Sequence, residues 1–246
     1  MIRPLEIAVR HFMLLLGIGL SALASEACAD GPTLPLALVA ARNAADTVRQ
    51  LLADGHSADE RDPGGLTALM WAARAGALDA MKTLLDAGAD PNVRDARNGW
   101  TPLFHAIHKH QVEAVRLLLD RGVDPNKPGR MLTPLIMAAS DADPTIVQLL
   151  LAHGADPTAR SIGGSTALSE AVSGGALSDI DRPLFGGCHP ATVRVLKEHD
   201  PKVDMPDTIA GWNALWWARF HGCQEVLDLV APISKRTKDA RTRDTS

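Results

Sequence analysis

The sequence predicts an all-α solenoid, a stack of about six helix–turn–helix repeats joined by hairpin-like loops. Segments of the form LLxxG recur at steps of 33, 34 and 32 residues, with their glycines at Gly55, Gly88, Gly122 and Gly154. The apolar runs that open each unit keep the same rhythm and begin at Thr67, Thr101, Thr133 and Thr166. Within a unit the apolar residues recur at helical spacing, so each unit is predicted to form two helices.

The first helix of each unit has a marked start. A threonine before the apolar run can accept free backbone N–H groups at the helix start. Pro102 and Pro134 follow directly, at the first helical position, where a missing N–H has no intrahelical partner to lose. These helices are rich in alanine, which lets neighbouring helices approach closely.

The second helix of each unit ends at a glycine. Residues 112–120, VEAVRLLLD, place their apolar side chains at helical spacing. Gly88, Gly122 and Gly154 stand where a left-handed residue closes a helix. The Asp-Pro pair that follows turns the chain out of the helix and into a loop.

The pattern resembles the ankyrin repeat family, whose signature is T-P-L-H-x-A at about 33 residues. The resemblance covers roughly residues 34–231 and rests on LTALMWAARAG, WTPLFHAIHKH, LTPLIMAASDA, STALSEAVSGG and WNALWWARFHG. The signature histidine is replaced in every copy, by Met70, Phe104, Ile136, Ser169 and Trp216. We therefore expect apolar contact where the family makes a hydrogen bond.

The domain prediction has three parts. Residues 1–29 have the features of a signal peptide, with Arg3 and Arg10 before thirteen uncharged residues at 12–24. That stretch is shorter than the about 20 residues of a membrane span. Cleavage is expected after Ala29, with Ala24 as the alternative. The repeat domain is placed at 30–233 and a disordered basic tail at 234–246, in an exported protein, periplasmic if bacterial, with no membrane contact beyond the signal peptide.

The fifth unit is about 14 residues longer than the others, which predicts an inserted loop at about 176–188 between its two helices. If cleavage follows Ala29, Cys28 leaves with the signal peptide. Two cysteines then remain in an oxidising compartment. We predict a disulfide between Cys188 and Cys223 that pins the loop to the last unit. Two unpaired buried thiols are the alternative.

Composition and motifs point away from an enzyme. The net charge of -4 and a pI near 6.1 argue against a nucleic-acid-binding surface. HExxH, GxSxG, GxxxxGK and CxxC motifs are missing from the sequence. Asp90, Asp124 and Asp156 recur in register, which indicates a structural role, because a catalytic acid would occur once. We expect no catalytic residue and no cofactor.

The segment HAIHKH raises a competing hypothesis, since it holds His105, His108 and His110. At about 100° per residue, His105 and His108 are about 60° apart on a helix, and His110 is about 140° from His105. A metal site needs three or four converging ligands. The spacing therefore favours a scaffold role, and a metal-binding or metallo-hydrolytic protein that uses surface histidines such as His108 and His221 is the alternative.

The resemblance implies a function in binding. In stacks of this family, the loops and the exposed side of the first helices form a concave face that binds other proteins. We therefore expect a non-enzymatic, monomeric module that binds a partner protein; an effector exported to a host cell is a further hypothesis. The residues carried over to this face are Arg74, Arg94, Arg97, Trp100, His108, Lys109, Asp141, Trp212, Phe220 and His221, with Arg61, Arg130 and Arg160 among the other loop positions.

Trp100 and Trp212 are the leading candidates for the binding face, because each directly precedes the predicted start of a helix. Tryptophan is enriched among the residues that dominate binding energy. If the hypothesis holds, Trp100→Ala abolishes partner binding with little change in thermal stability. Packing of these tryptophans against neighbouring loops is the alternative.

Overall fold

The computed structural model describes residues 35–173, 188–200, 202–203 and 214–230. The predicted signal peptide, the predicted tail, Trp212 and the inserted loop up to residue 187 lie outside the described residues. All described residues belong to one compact unit, residues 33–246.

Twelve helices are present in the described ranges, two in each unit. The first helices are α1 (Pro35–Ala41), α3 (Ala68–Ala75), α5 (Pro102–His108), α7 (Pro134–Ser140), α9 (Ala167–Ser173) and α11 (Ala214–Phe220). The second helices are α2 (Ala45–Ala53), α4 (Leu78–Asp86), α6 (Val112–Asp120), α8 (Pro144–Ala152), α10 (Pro190–His199) and α12 (Gln224–Val230). The prediction of an all-α repeat stack is confirmed.

The helices pack in two layers. Each first helix contacts the next first helix, from α1 through α11, and each second helix contacts the next second helix, from α2 through α12. The longest described helix, α10, has 10 residues. Within the ranges given above, no helix is long and apolar enough to cross a bilayer.

The threonines that open the first helices occupy equivalent places. Thr67, Thr101 and Thr133 share φ between −88° and −90° and ψ between 162° and 169°. The hydroxyls of Thr67 and Thr133 accept the N–H three residues on, both at 3.4 Å. Thr101 has the same backbone conformation without a side-chain capping bond. The capping prediction is therefore confirmed at two of these three helix starts.

The signature-histidine position is buried in the inner copies. Phe104 and Ile136 are at most 1% exposed and make the apolar contacts that we expected. Ser169 differs, because its Oγ accepts the Thr166 N–H at 2.8 Å while the Thr166 hydroxyl accepts the Ser169 N–H at 3.3 Å. The expectation of apolar contact in place of a hydrogen bond is therefore wrong for the fifth unit. It is also wrong for the second unit, where Sδ of Met70 accepts the Thr67 N–H at 3.4 Å.

Left-handed residues close the helices where the sequence predicts them. Glycines with φ between 80° and 98° follow the second helices, at Gly55, Gly88, Gly122 and Gly154. The turns between the two helices of a unit also need a positive φ. Gly76 supplies it in the second unit, whereas His110 (φ 54°) and Ala142 (φ 59°) supply it in the third and fourth.

Ala142→Gly should raise the free energy of unfolding by about 1 kcal/mol. A left-handed conformation costs an L-residue roughly 1–2 kcal/mol, and only part of that gain is offset by the added freedom of the unfolded chain. Ala152→Gly, at the last position of α8, is the control and should be destabilising by up to about 1 kcal/mol. Urea denaturation measures both; equal destabilisation by the two variants would contradict the positive φ at Ala142.

Cys188 and Cys223 form a disulfide with their Cα atoms 5.5 Å apart. Cys188 precedes α10, and Cys223 lies in the turn between α11 and α12. The bond therefore connects the fifth and sixth units, as predicted. The alternative of two unpaired thiols is wrong.

Candidate protein-binding surface

Four loop segments between units fold back on themselves, and we call them the hairpin segments: residues 61–66, 94–100, 128–132 and 160–165. Each is closed by a backbone hydrogen bond of 2.8–3.0 Å near its ends, such as Asp95 N–H to the Trp100 carbonyl. Neighbouring segments are also bonded to each other. Arg130 N–H donates to the Asn98 carbonyl at 3.0 Å, and Ile162 N–H donates to the Met131 carbonyl at 2.9 Å. The last three segments therefore form one continuous edge.

Trp100 joins the second hairpin segment to the outward side of α5. Its ring centroid lies 6.2 Å from that of Phe104, 5.6 Å from His105 and 5.2 Å from His108. The side chain is half-buried, and a Cβ added at Gly129 of the next segment would lie 3.3 Å from it. Trp100 thus packs against its neighbours. The alternative of packing against a neighbouring loop is therefore confirmed for Trp100, and we now expect Trp100→Ala to lower stability as well as to alter the surface.

The three histidines of HAIHKH do not converge. His105 is 4% exposed and bonds Asp95, with Nε2 3.1 Å from Oδ2. His108 lies beside Trp100 on the outward side of α5. His110 is in the turn after α5, with its Nδ1 3.2 Å from Oδ2 of Asp143 in the next unit. Among the residues that the structure describes, no group of three His, Cys, Asp or Glu side chains could hold a metal ion.

Sequence reasoning missed two inward-facing carboxylates. Asp62 accepts the indole N–H of Trp71 at 2.8 Å, and Asp95 makes the bond to His105. Both carboxylates are 6% exposed, and each stands one residue after an arginine, at Arg61 and Arg94. The recurrence of Asp62 and Asp95 at a step of 33 residues was the signal that could have revealed them.

The Asp95 carboxylate is held in its charged form. Burial alone would raise its pKa, but the hydrogen bond to His105, the Asn98 N–H at 2.7 Å and the charge of His105 outweigh burial and lower the pKa from 3.8 to about 2. Because the folded-state pKa is below the unfolded one, the stabilisation is fully present above the ordinary pKa. It is lost as the pH falls through about 2.

We expect Asp95→Asn to lower the free energy of unfolding at neutral pH by about 2 kcal/mol. The deficit relative to the wild type should shrink as the pH falls from about 4 to about 2, because the wild type then loses the same charge. Urea denaturation across that pH range measures it. Asp124→Asn, at an exposed turn, is the control, with an expected change within about 0.5 kcal/mol. A deficit that is constant down to the lowest pH would contradict the assignment.

The recurring aspartates after the second helices are part of the turns. The carboxylates of Asp90, Asp124 and Asp156 each accept the N–H two residues on, all at 2.8 Å. At Asp156 the hydroxyl and N–H of Thr158 lower the pKa by hydrogen bonding. Their predicted structural role is confirmed.

The remaining predicted binding residues lie along the outward side of the first helices and the hairpin edge. Arg74 is half-buried with its guanidinium 5.6 Å from the centre of the Trp71 ring. Lys109, just after α5, is exposed, and Asp141, just after α7, is half-buried. Phe220 is 63% exposed and stacks on Trp216, while His221 stacks on Trp217.

A cavity among the described residues is lined by residues on and beside the second helices, such as Asp46, Asp79 and Lys82, and by none of the predicted binding residues. Trp100 and His108 are in contact, as are Phe220 and His221, with ring centroids 5.2 Å apart in both pairs. Arg94 and Arg97 are exposed on the hairpin edge. Trp212 lies outside the described residues. The arrangement is an extended surface of amphipathic and cationic side chains with one carboxylate, Asp141, which suits contact with a macromolecule better than with a small ligand.

The match to known families agrees with this geometry. A family model described as ankyrin repeats (3 copies) matches residues 14–95 and 36–129, and another described as ankyrin repeats (many copies) matches residues 118–171. The chain belongs to the ankyrin repeat family. Ankyrin repeats are generally protein–protein interaction modules and are typically non-enzymatic.

Solved ankyrin repeat structures are similar over most of the chain. The ankyrin repeat domain of Bcl-3, described as a unique member of the IkappaB protein family, is 28% identical with a TM-score of 0.66 and covers 81% of this chain and 82% of that chain. An ankyrin repeat domain from Acinetobacter baumannii AYE is 29% identical with a TM-score of 0.64, and the match covers 79% of this chain and 95% of that chain.

Proposed function

We propose that this ankyrin repeat protein is an exported, non-enzymatic binding module that holds a partner protein on its hairpin segments and the outward side of its first helices. The observation that carries the proposal is the exposure of Arg94, Arg97, Lys109 and Phe220 on that side. The exposed Phe220 leaves an aromatic ring in water, and arginine and aromatic residues are enriched in binding interfaces.

Two features support export. The N-terminal segment has the charge and length pattern of a signal peptide. The disulfide between Cys188 and Cys223 belongs to the kind of bond that persists in oxidising compartments and is rare in the cytosol. The site of action that fits both is the periplasm of a bacterial source or the exterior of the cell.

Affinity capture with matched variants tests the binding proposal. The tagged protein is produced in its source organism, and proteins that co-purify with it are quantified. The variant Arg97→Ser/Lys109→Ser/Phe220→Ala alters the proposed surface. The control Lys82→Ser/Arg116→Ser/Gln148→Ala makes the same change in charge at exposed positions on the second helices. We expect the surface variant to lose a partner that the wild type and the control retain. Equal retention by all three proteins would contradict the proposal.

The export proposal is tested on the same material. The N-terminus of the purified protein is sequenced, and cell fractions are compared for its presence. We expect a mature N-terminus at Asp30 or Ser25 and recovery outside the cytosol. An intact N-terminus on protein confined to the cytosol would contradict export and leave the binding proposal in place.

A further inference from the structure

The exposed charged side chains of the hairpin segments are all arginines. The segments contain seven charged residues, of which five are cations: Arg61, Arg94, Arg97, Arg130 and Arg160. All five are exposed, whereas the two anions, Asp62 and Asp95, are buried. A chain with a net charge of -4 thus presents a purely cationic set of side chains along this edge. We call these five residues the arginine row.

The bonding of the two aspartates explains this segregation. Each carboxylate points inward and is hydrogen-bonded within its own unit, Asp62 to the indole of Trp71 and Asp95 to the imidazole of His105. Neither carboxylate is therefore presented at the surface of the edge.

In the described part of the chain, exposed carboxylates close to these segments lie in the preceding turns, where Glu60, next to Arg61, has its Oε2 3.4 Å from Nδ1 of His56. In the same turns, Asp90 and Asp156 are bonded to backbone N–H groups.

Several arginines elsewhere on the stack, on the side of the second helices, have acidic partners. On the second-helix side, Arg49 pairs with Asp46, and Arg116 pairs with Glu113. Arg121, which follows α6, pairs with Asp86 at 3.0 Å. In the described part of the chain, no member of the arginine row has an ion pair of this kind. Arg61 and Arg160 donate instead to backbone carbonyls of their own segments, at Gly65 and Gly164, which holds both side chains along the edge.

The row is continuous from unit to unit. Arg61 Nη1 donates to the Arg94 carbonyl at 2.9 Å, and backbone hydrogen bonds link the second, third and fourth segments. Packed helices lie about 8–10 Å apart, which sets the step between neighbouring arginines. A polyproline II chain rises about 3.1 Å per residue with three residues per turn. Side chains three residues apart on such a chain are therefore about 9 Å apart, which matches the step between arginines of neighbouring units.

Two apolar side chains share this edge. Met131 is 61% exposed and Ile162 is 76% exposed, and the Ile162 N–H donates to the Met131 carbonyl. They lie in the same two segments as Arg130 and Arg160. An extended ligand bound along the row would therefore also contact apolar side chains beside Arg130 and Arg160.

We propose that the arginine row binds an extended acidic segment of the partner protein, with carboxylates about three residues apart and an apolar side chain against Met131 and Ile162. This rests on the proposed function and assigns the chemistry of the partner. A guanidinium binds a carboxylate through two parallel hydrogen bonds, which gives geometric specificity as well as attraction. The charge pattern also selects for acidic partners and against basic ones.

A protein segment fits this edge better than a nucleic acid does. Phosphates of one strand of B-DNA recur about every 3.4 Å along the helix axis, so a row with one or two arginines per unit would leave most of them unmatched. The net negative charge of the whole chain opposes a polyanion that extends beyond the row.

Peptide binding to the full mature protein tests the inference. The probe is a fluorescent peptide of about twelve residues in which Glu-Pro-Leu is repeated, so that every third residue is acidic. The matched peptide has Gln in place of Glu. Anisotropy titrations are run at low and physiological salt, and heparin, duplex DNA and phosphatidylglycerol vesicles are tested beside the peptides.

Two charge-matched variants locate the binding. Arg94→Ser/Arg97→Ser/Arg130→Ser removes three members of the row, and Arg49→Ser/Arg116→Ser/Arg121→Ser removes three exposed arginines that have acidic partners. We expect the Glu peptide to bind roughly tenfold more tightly than the Gln peptide, and the row variant to lose roughly that factor while the control stays within about twofold. Arg97→Glu alone should weaken binding too, which keeps the test valid if the triple variant does not fold.

Other outcomes would overturn the inference. These are equal binding of the Glu and Gln peptides, equal losses in the two triple variants, or tighter binding of heparin, DNA or vesicles than of the Glu peptide. Affinity capture of the native partner with the row variant distinguishes failure of this inference from failure of the proposed binding function. If the row variant still captures the native partner, the arginine row is not its acidic-segment site, although the protein remains a binding module.

Discussion

Phe104→Ala should lower the free energy of unfolding by about 3–5 kcal/mol, the range for removal of a buried aromatic ring. Phe104 is 0% exposed at the centre of the first-helix layer, and its ring lies 6.2 Å from that of Trp100. A Cβ at Gly129 of the next unit would lie 3.3 Å from the Phe104 ring, so little space is left for the neighbouring unit to collapse into the cavity. Urea denaturation followed by far-UV circular dichroism measures the loss.

The control for this variant is Met131→Ala, because Met131 is apolar but 61% exposed. It should change the free energy of unfolding by no more than about 0.5 kcal/mol. A loss below about 1 kcal/mol for Phe104→Ala would mean that contact between units at this position does not hold the stack together.

Loss of the disulfide should have a comparable effect. The bond closes a chain segment with a sequence separation of 35, for which the chain-entropy relation gives about 4 kcal/mol. We expect a reducing agent to lower the stability of the wild type towards that of Cys188→Ser/Cys223→Ala. The double variant itself should be insensitive to the reducing agent. Free thiols in the protein as isolated from an oxidising compartment, or equal stability of the oxidised and reduced forms, would contradict the role assigned to this bond.

The repeat register was predictable because it is set by local backbone requirements. A helix end that needs a left-handed residue favours glycine, and Gly88, Gly122 and Gly154 all adopt a positive φ. A helix start with free N–H groups favours threonine, and Thr67 and Thr133 cap their helices. Each of these signals depends on residues only a few positions apart in the chain, so it can be recognised from a single sequence.

The candidate surface was predictable in its positions and less so in its contacts. Trp100 directly precedes a helix start, but its half-burial depends on Phe104 in its own unit and on the hairpin segment of the next. The inward turn of Asp95 depends on His105, ten residues further on. Such contacts between a loop and a helix are decided by packing, which the spacing of residues in a sequence does not encode.

The position of Trp216 shows the same limit at the end of the stack. The residue occupies the signature-histidine place, which is buried at Met70, Phe104 and Ile136, yet it is 49% exposed. In the inner units, the first helix packs against the first helices of both neighbouring units. The last first helix among the described residues is α11, so the side chain is left at the surface of the helical layer.

A spin-label distance measurement tests the claim on which the account depends, that equivalent residues of successive units line up along one edge. Cys28→Ala protein carries labels at Arg94→Cys/Arg160→Cys in one sample and at Arg61→Cys/Arg160→Cys in another, with the native disulfide intact. Two and three units separate these pairs, so we expect Cα distances of roughly 16–20 Å and roughly 24–30 Å, before the added reach of the labels. A three-unit distance no longer than the two-unit distance would contradict it, because the arginines could not then form a row.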